Sequence, residues 1–245
     1  MKDQKKLGII GRNISYSFSQ KYYEDKFKRL MLTQYSYDVF DLKEISEVEE
    51  IFQDPALIGF NVTIPYKEKI LPYLDELSDE AAQIGAVNCI LIQDNIKKGF
   101  NTDVFGFEKT LAVHRKDFHT SALILGNGGA AKAVQYVLGK YNIPFKTVSR
   151  NSDLNFENIT ETIVTENPLI IQCTPVGTFP KVEDCLNFPF EGMTDKHLVI
   201  DLIYNPENTT FLKKAAEKGA KTANGFYMLE QQAEKNWEIW NFQKK

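Results

Sequence analysis

The chain has 245 residues, 43% of them hydrophobic and 25% charged, with 29 Lys plus Arg against 33 Asp plus Glu and a net charge of −4. That length suits one or two domains with real cores, and the slight acidity argues against a general nucleic-acid or membrane-surface binder. With 14 Gly and 9 Pro the chain is neither fibrous nor of low complexity. Leu7–Ile10 reads as a strand ending at Gly11. Residues 20–31 read as a helix with Tyr23, Phe27, Leu30 and Met31 on its inner stripe. Tyr35–Leu42 is a strand, and Ile45, Val48, Ile51 and Phe52 are helix-spaced. Ile58–Ile64 is a strand stopped by Pro65, and Ala86–Gln93 pairs with Lys97–Phe100 across Asp94-Asn95. Asp103 suits the N-cap of a helix that turns Phe107 and Leu111 inward.

From there the alternation is cleaner. Ala122–Leu125 is a strand, Gly126–Gly129 a glycine turn and Ala130–Leu138 a helix. Phe145–Val148, Leu169–Ile171 and Leu198–Leu202 are further strands, and Thr209–Lys218 is a helix closed by Gly219. A last helix over 228–242 carries Leu229, Ala233, Trp237 and Trp240. Alternation of strand and helix implies parallel sheet. The expected fold is two α/β domains divided near residue 103.

Cys89, Cys173 and Cys185 fit no zinc spacing, and His114, His119 and His197 have no metal-binding context, so no metal site is expected. The N-terminal charges lead into only a short apolar stretch before Arg12. A signal peptide needs about 7–15 apolar residues and a spanning helix about 20. A cytoplasmic location is therefore the expectation, with no membrane and no nucleic acid among the partners.

Gly126-Asn127-Gly128-Gly129-Ala130-Ala131 fits G-x-G-x-x-A between a strand and a helix. In that context the first glycine allows a tight turn, the second lets backbone approach a pyrophosphate, and the small third residue lets helix and strand pack closely. Free N–H groups at the helix start would hold the phosphates. The alternative is a glycine turn without a ligand. The next strand ends at Val148-Ser149-Arg150-Asn151. An NAD site places a carboxylate there for the ribose hydroxyl, whereas an Arg attracts the 2′-phosphate of NADP. Arg150 points to NADP, with Ser149 as an added hydroxyl donor.

In the first block polar residues gather at strand ends: Ser17, Ser19, Thr63, Lys67 and Asn88, closed by Asn101-Thr102-Asp103. Each alone fits a turn, a cap or a solvated side chain. Together they suit a small polyhydroxylated acid, with a Lys near an Asp for proton transfer to a carbonyl oxygen.

These residues resemble the shikimate dehydrogenase family over nearly the whole chain. Ser17-Phe18-Ser19 resembles its S-x-S motif, and Gly59-Phe60-Asn61-Val62-Thr63-Ile64-Pro65-Tyr66-Lys67 its G-x-N-V-T-x-P-x-K signature. Gly85-Ala86-Val87-Asn88 is similar to G-A-V-N-T, Gly99-Phe100-Asn101-Thr102-Asp103 to G-x-N-T-D, and Gly126–Lys132 to G-x-G-G-A-[AS]-[KR]. Asp201-Leu202-Ile203-Tyr204-Asn205-Pro206 is similar to D-x-x-Y-x-P, and Gly225–Ala233 to G-x-x-M-L-x-x-Q-A.

The resemblance implies a shikimate-binding catalytic domain with a mixed sheet (1–102 and 225–245) and a Rossmann-type NADP-binding domain (103–224). The last helix would return to the first domain, and the two domains would close on substrate and nicotinamide. It implies NADPH-dependent, reversible reduction of 3-dehydroshikimate to shikimate, with Lys67 and Asp103 as the catalytic pair. Ser17, Ser19 and Tyr204 would hold the substrate carboxylate, and Thr63, Asn88 and Gln232 its ring hydroxyls. Gly126, Asn127, Gly128, Gly129, Ala130, Ser149, Arg150, Thr174 and Tyr227 would contact the cofactor. The protein would be a monomer or homodimer.

Several positions depart from the family pattern. Gln20 replaces a usual Pro, Cys89 a Thr, Asn127 an Ala, and Tyr227 a frequent Gly near the nicotinamide. Ser149-Arg150-Asn151 stands where many members have Asn-Arg-Thr, and the chain is short for the family. Two further readings stand beside this one: an NAD-linked quinate/shikimate dehydrogenase, and a relative that binds shikimate and NADP without turnover.

Overall fold

The computed structural model describes residues 4–14 and 17–241, which fall into two compact units. One holds residues 1–102 and 233–245, the other residues 103–232. The first runs β1 (Lys5–Gly11), α1 (Phe18–Arg29), β2 (Tyr35–Asp41), α2 (Val48–Ile51), β3 (Gly59–Val62), β4 (Glu76–Leu77), α3 (Asp79–Ile84), β5 (Cys89–Gln93) and β6 (Ile96–Phe100). Its sheet has the order β2-β1-β3-β5-β6-β4. β1 is parallel to β2 and β3, whereas β5 is antiparallel to both β3 and β6, so the sheet is mixed.

Both faces of this sheet are covered, which explains why β1 reads as a continuous apolar run and not as an alternation. Leu7 and Ile9 pack with Tyr23, Phe27, Tyr37 and Trp240. Ile10 points the other way, into Phe60, Val62, Tyr66 and Ile90. Successive strand residues face opposite sides, so Asn61, between Phe60 and Val62, is turned toward Tyr37.

The expected inner stripe of the first helix needs a correction. Tyr23 and Phe27 are buried, but Leu30 is 46% and Met31 83% exposed. The helix stops at Arg29 because Met31 takes a left-handed conformation (φ 53). Met31 N–H donates to Lys28 O (3.2 Å) and Leu32 N–H to Phe27 O (2.9 Å), which satisfies the last carbonyls in the manner of a Schellman cap. The strands expected over 58–64 and 86–93 are also shorter. Ile64 and the 86–88 stretch lie outside β3 and β5.

The second unit runs α4 (Asp103–His114), β7 (Ala122–Leu125), α5 (Gly129–Lys140), β8 (Phe145–Val148), α6 (Glu161–Thr165), β9 (Leu169–Gln172), β10 (Leu198–Asp201), α7 (Thr210–Glu217) and β11 (Lys221–Ala223). Asp103 is the first residue of α4 and not a cap outside it. The five strands are all parallel, in the order β11-β10-β9-β7-β8. Leu123, Leu125, Val148, Ile170, Val199 and Phe211 fill one core. Thr209 caps α7 by accepting from Leu212 N–H (3.2 Å). The final helix, α8 (Phe226–Trp240), has residues in both units. Among the described residues no helix is long and apolar enough to cross a membrane.

Candidate active site

In the second unit the strand order reverses between β7 and β9, since β8 lies on the far side of β7. Such a switch point, at the carboxyl ends of parallel strands, is where open α/β sheets bind ligands. The register aligns Leu125 with both Val148 and Gln172, and Gln172 with Asp201. The loops that follow these four residues therefore emerge at one level. They are the glycine turn, Ser149-Arg150, Cys173-Thr174 and Leu202–Tyr204.

Gly126 opens the turn at φ +112, and its N–H donates to Val148 O (2.8 Å). A Cβ on Gly126 would stand 3.0 Å from Thr174 Cγ2, so the turn lies against the end of β9. Both the left-handed backbone and the close approach require glycine here. Asn127 and Gly128 are exposed. Gly128 occupies the N-cap of α5 without a side-chain cap, and Lys132 N–H donates back to its carbonyl (3.1 Å). The N–H groups of Gly129, Ala130 and Ala131 find no acceptor among the described residues. A cradle of backbone donors at a positive helix end, walled by Thr174, fits the pyrophosphate of a dinucleotide.

Arg150 is exposed on a tight loop beyond β8. Ser149 N–H donates to Leu154 O and Ser152 N–H to Ser149 O, each at 3.3 Å, and the two serine hydroxyls pair with each other. Leu154 anchors the loop in the core. Thr174 N–H is held by the Gln172 side chain, and its hydroxyl accepts from Val176 N–H (3.2 Å).

Tyr204 follows a turn built on Asp201. That carboxylate is fully buried and accepts from Ile203 N–H (3.0 Å) and Thr209 Oγ1 (2.7 Å). Burial pushes it up to about 6, against the opposing pull of those two bonds. Gly225 N–H donates to Ile203 O (2.9 Å), which sets the start of α8, and with it the half-buried Tyr227, beside the same turn. A Cβ on Gly225 would fall 2.1 Å from Leu202 O. Because that obstacle is backbone, Gly225→Ala is expected to destabilise the second unit by about 3 kcal/mol. A urea unfolding curve superposing on that of the parent would reject this.

Asp103 is buried in the first turn of α4, where the helix end favours a negative charge. One turn on, a Cβ at Gly106 would meet Met228 O at 2.5 Å and Gln232 Cβ at 3.3 Å. α4 and α8 thus cross at Gly106, and Gln232 stands within a turn of Asp103. The Cys173 thiol is pushed up by burial and by the Asp201 charge, which makes it a poor nucleophile. Among the described residues no group of three acidic, His or Cys side chains could hold a metal.

The first unit gathers Thr63, Lys67 and Asn88. Thr63 N–H donates to Ile10 O (2.9 Å), and Val62 N–H to Asn88 O (2.9 Å). Val87 N–H donates to Lys67 O (2.7 Å), which sets the half-buried Lys67 alongside the segment that carries Asn88. Asn88 Oδ1 accepts from Thr102 N–H (2.7 Å). A backbone N–H can only donate, so the amide orientation is determined, and Nδ2 presents a donor in the opposite direction. Ser17 precedes α1 and is half-buried, and Ser19 lies buried in its first turn. Lys67 belongs to the first unit and Asp103 to the second.

Residues that the sequence alone did not single out support this arrangement. Tyr37 Oη donates to Asn61 Oδ1 (2.8 Å), and Asn61 Nδ2 donates to Asn88 O (3.1 Å). Thr102 Oγ1 donates to Asn236 Oδ1 (2.6 Å) on α8. Ser19 hydrogen-bonds Tyr37, whose phenol is pushed far up by burial. The one available signal was polarity at positions whose strand neighbours are apolar, as at Asn61.

A family model described as "Shikimate dehydrogenase substrate binding domain" matches residues 9–90. The shikimate dehydrogenase (NADP(+)) of Methanosphaera stadtmanae is 35% identical, over 95% of this chain and 89% of that protein. The enzyme of the same name from Clostridium beijerinckii is 36% identical, over 95% and 90%. A solved structure of shikimate 5-dehydrogenase from Thermus thermophilus, in complex with NADP(H) and shikimate, matches with a TM-score of 0.86 at 27% identity, covering 97% of this chain and 94% of that one. The chain belongs to the shikimate dehydrogenase family.

Proposed function

We propose that this chain catalyses the reversible, NADPH-dependent reduction of 3-dehydroshikimate to shikimate. The observation that carries the reading is the meeting of the Gly126 turn with Thr174 at the β7/β9 switch point, level with an Arg150 loop that has no acid at 149–151. The N–H groups of Gly129, Ala130 and Ala131 bind the pyrophosphate, with Asn127 and Gly128 flanking it. Arg150 and Ser149 take the 2′-phosphate, and Thr174 and Tyr227 flank the nicotinamide end. When bound, NADPH supplies hydride to the ring carbonyl carbon.

The remaining chemistry belongs to side chains. Lys67 Nζ gives a proton to the carbonyl oxygen, and Asp103 accepts a hydrogen bond from the neighbouring ring hydroxyl. Asn88 Nδ2, pointed away from Thr102, donates to a ring hydroxyl, as do Thr63 and Gln232 from their own sides. Ser17, Ser19 and Tyr204 donate to the carboxylate.

The test is oxidation of shikimate with NADP, followed at the absorbance of the reduced nicotinamide, beside the same assay with NAD and with quinate. Preference for NAD and quinate would reject the proposal. For Arg150→Ala we expect about a tenfold rise in KM for NADPH, the scale of one charge-assisted hydrogen bond at an exposed site, with KM for NADH within about twofold. An equal effect on both cofactors would remove Arg150 from the 2′-phosphate.

A further inference from the structure

The chain contains two Asn-Gly dipeptides, Asn127-Gly128 and Asn224-Gly225, in opposite structural settings. We infer that Asn127, in the phosphate-binding turn, is a site of spontaneous deamidation that weakens cofactor binding, and that Asn224 is not. Asparagine is a thermolabile residue, and a following glycine removes the Cβ that would hinder attack by the next amide nitrogen.

The step balances without a redox partner. The Gly128 amide nitrogen attacks Asn127 Cγ. An N–Cγ bond forms, the Cγ–Nδ2 bond breaks, and Nδ2 departs as ammonia with the proton of the Gly128 N–H. Water then opens the five-membered imide at either carbonyl, leaving aspartate or isoaspartate. Both products carry a carboxylate where an amide stood.

Three things are needed: a mobile side-chain amide, an uncommitted backbone N–H on the glycine, and room for the ring. At 127 all three are present. Asn127 and Gly128 are exposed, neither the Asn127 side chain nor the Gly128 N–H has a hydrogen-bond partner among the described residues, and a Cβ placed on Gly128 would meet nothing within 4 Å. At 224 all three are denied. Asn224 Nδ2 donates to Glu207 O (2.9 Å), its Oδ1 accepts from Phe226 N–H (3.1 Å), and Gly225 N–H is committed to Ile203 O (2.9 Å). Gly225 is also pressed to within 2.1 Å of Leu202 O at its Cβ position.

The consequence for affinity rests on the proposed function. A new carboxylate beside the start of α5 would compete for the helix end and repel the pyrophosphate. Conversely, a dinucleotide seated on the turn would immobilise Asn127 and slow the reaction. Imide formation needs a deprotonated amide nitrogen, so the rate rises with pH.

Ligand-free protein aged in warm, mildly alkaline buffer provides the test. Tryptic peptides 117–132 and 222–235 each contain a single asparagine, so mass mapping separates the two sites. The expected result is a gain of about one mass unit confined to 117–132, slowed by saturating NADP. Direct calorimetric binding should show Kd for NADP raised roughly tenfold or more in the aged protein, the scale of one added charge a few ångströms away. Asn127→Ala, whatever its starting affinity, should lose none of it with time. No gain in 117–132, or an equal gain in 222–235, overturns the site. Complete conversion with unchanged Kd overturns its effect on binding. Failure of fresh protein to bind NADP would instead overturn the proposed function, and with it the consequence for affinity, while the mass result would stand by itself.

Discussion

Lys67→Ala is expected to lower kcat by about 10²–10⁴-fold, the usual contribution of a positioned proton donor, while Kd for shikimate changes by no more than about threefold. The two parts separate because different groups carry them. In the proposed function, binding in the first unit rests on Ser17, Ser19, Thr63 and the Asn88 amide, whose Oδ1 accepts from Thr102 N–H. Lys67 enters that neighbourhood through its carbonyl, which accepts from Val87 N–H, and alanine keeps that bond. Removing the ammonium therefore takes away the proton for the developing alkoxide and leaves the backbone in place. Steady-state kinetics beside calorimetric titration with shikimate would show it. Turnover surviving within about threefold would exclude Lys67 as the proton donor.

The second large effect is expected for Asp103→Asn, a loss of about 10²-fold or more in kcat with the fold intact. The substitution is nearly isosteric, but it exchanges an acceptor-only carboxylate for an amide and removes the charged acceptor that the proposed function gives the ring hydroxyl. Asp103 is buried in the first turn of α4, so the lost charge also weakens that helix end, by about 0.3–1 kcal/mol. That loss is too small to unfold a domain, so a thermal midpoint within a few degrees of the parent, with turnover nearly abolished, is the signature of a chemical role. Unchanged kcat/KM would take Asp103 out of the reaction.

Much of the candidate site is legible in the sequence because its motifs are local. The Gly126 turn follows a strand and opens a helix within a few residues, and its backbone requirements are met by that same stretch. Arg150 is legible for the same reason, as the residue just past the next strand. The supporting network around Asn88 is not legible. Tyr37, Asn61 and Asn88 are separated by 24 and 27 residues along the chain, and it takes the pairing of β1 with both β2 and β3, and of β3 with β5, to bring them together. Nor does any local pattern show that Met31 leaves its helix in a left-handed cap. Apolar spacing alone continues that helix to residue 31.

By itself the sequence determined the alternation of strand and helix, the two α/β blocks, the glycine turn with its basic neighbour and the membership that the signatures announce. These follow from short-range periodicity and from residues whose backbone demands are met by their own neighbours. Tertiary structure alone decided which way the Asn88 amide points, why Gly225 admits no side chain, and why two identical Asn-Gly pairs have opposite surroundings. A buried polar group must find its partner, and a crowded backbone its clearance, among segments that are distant along the chain.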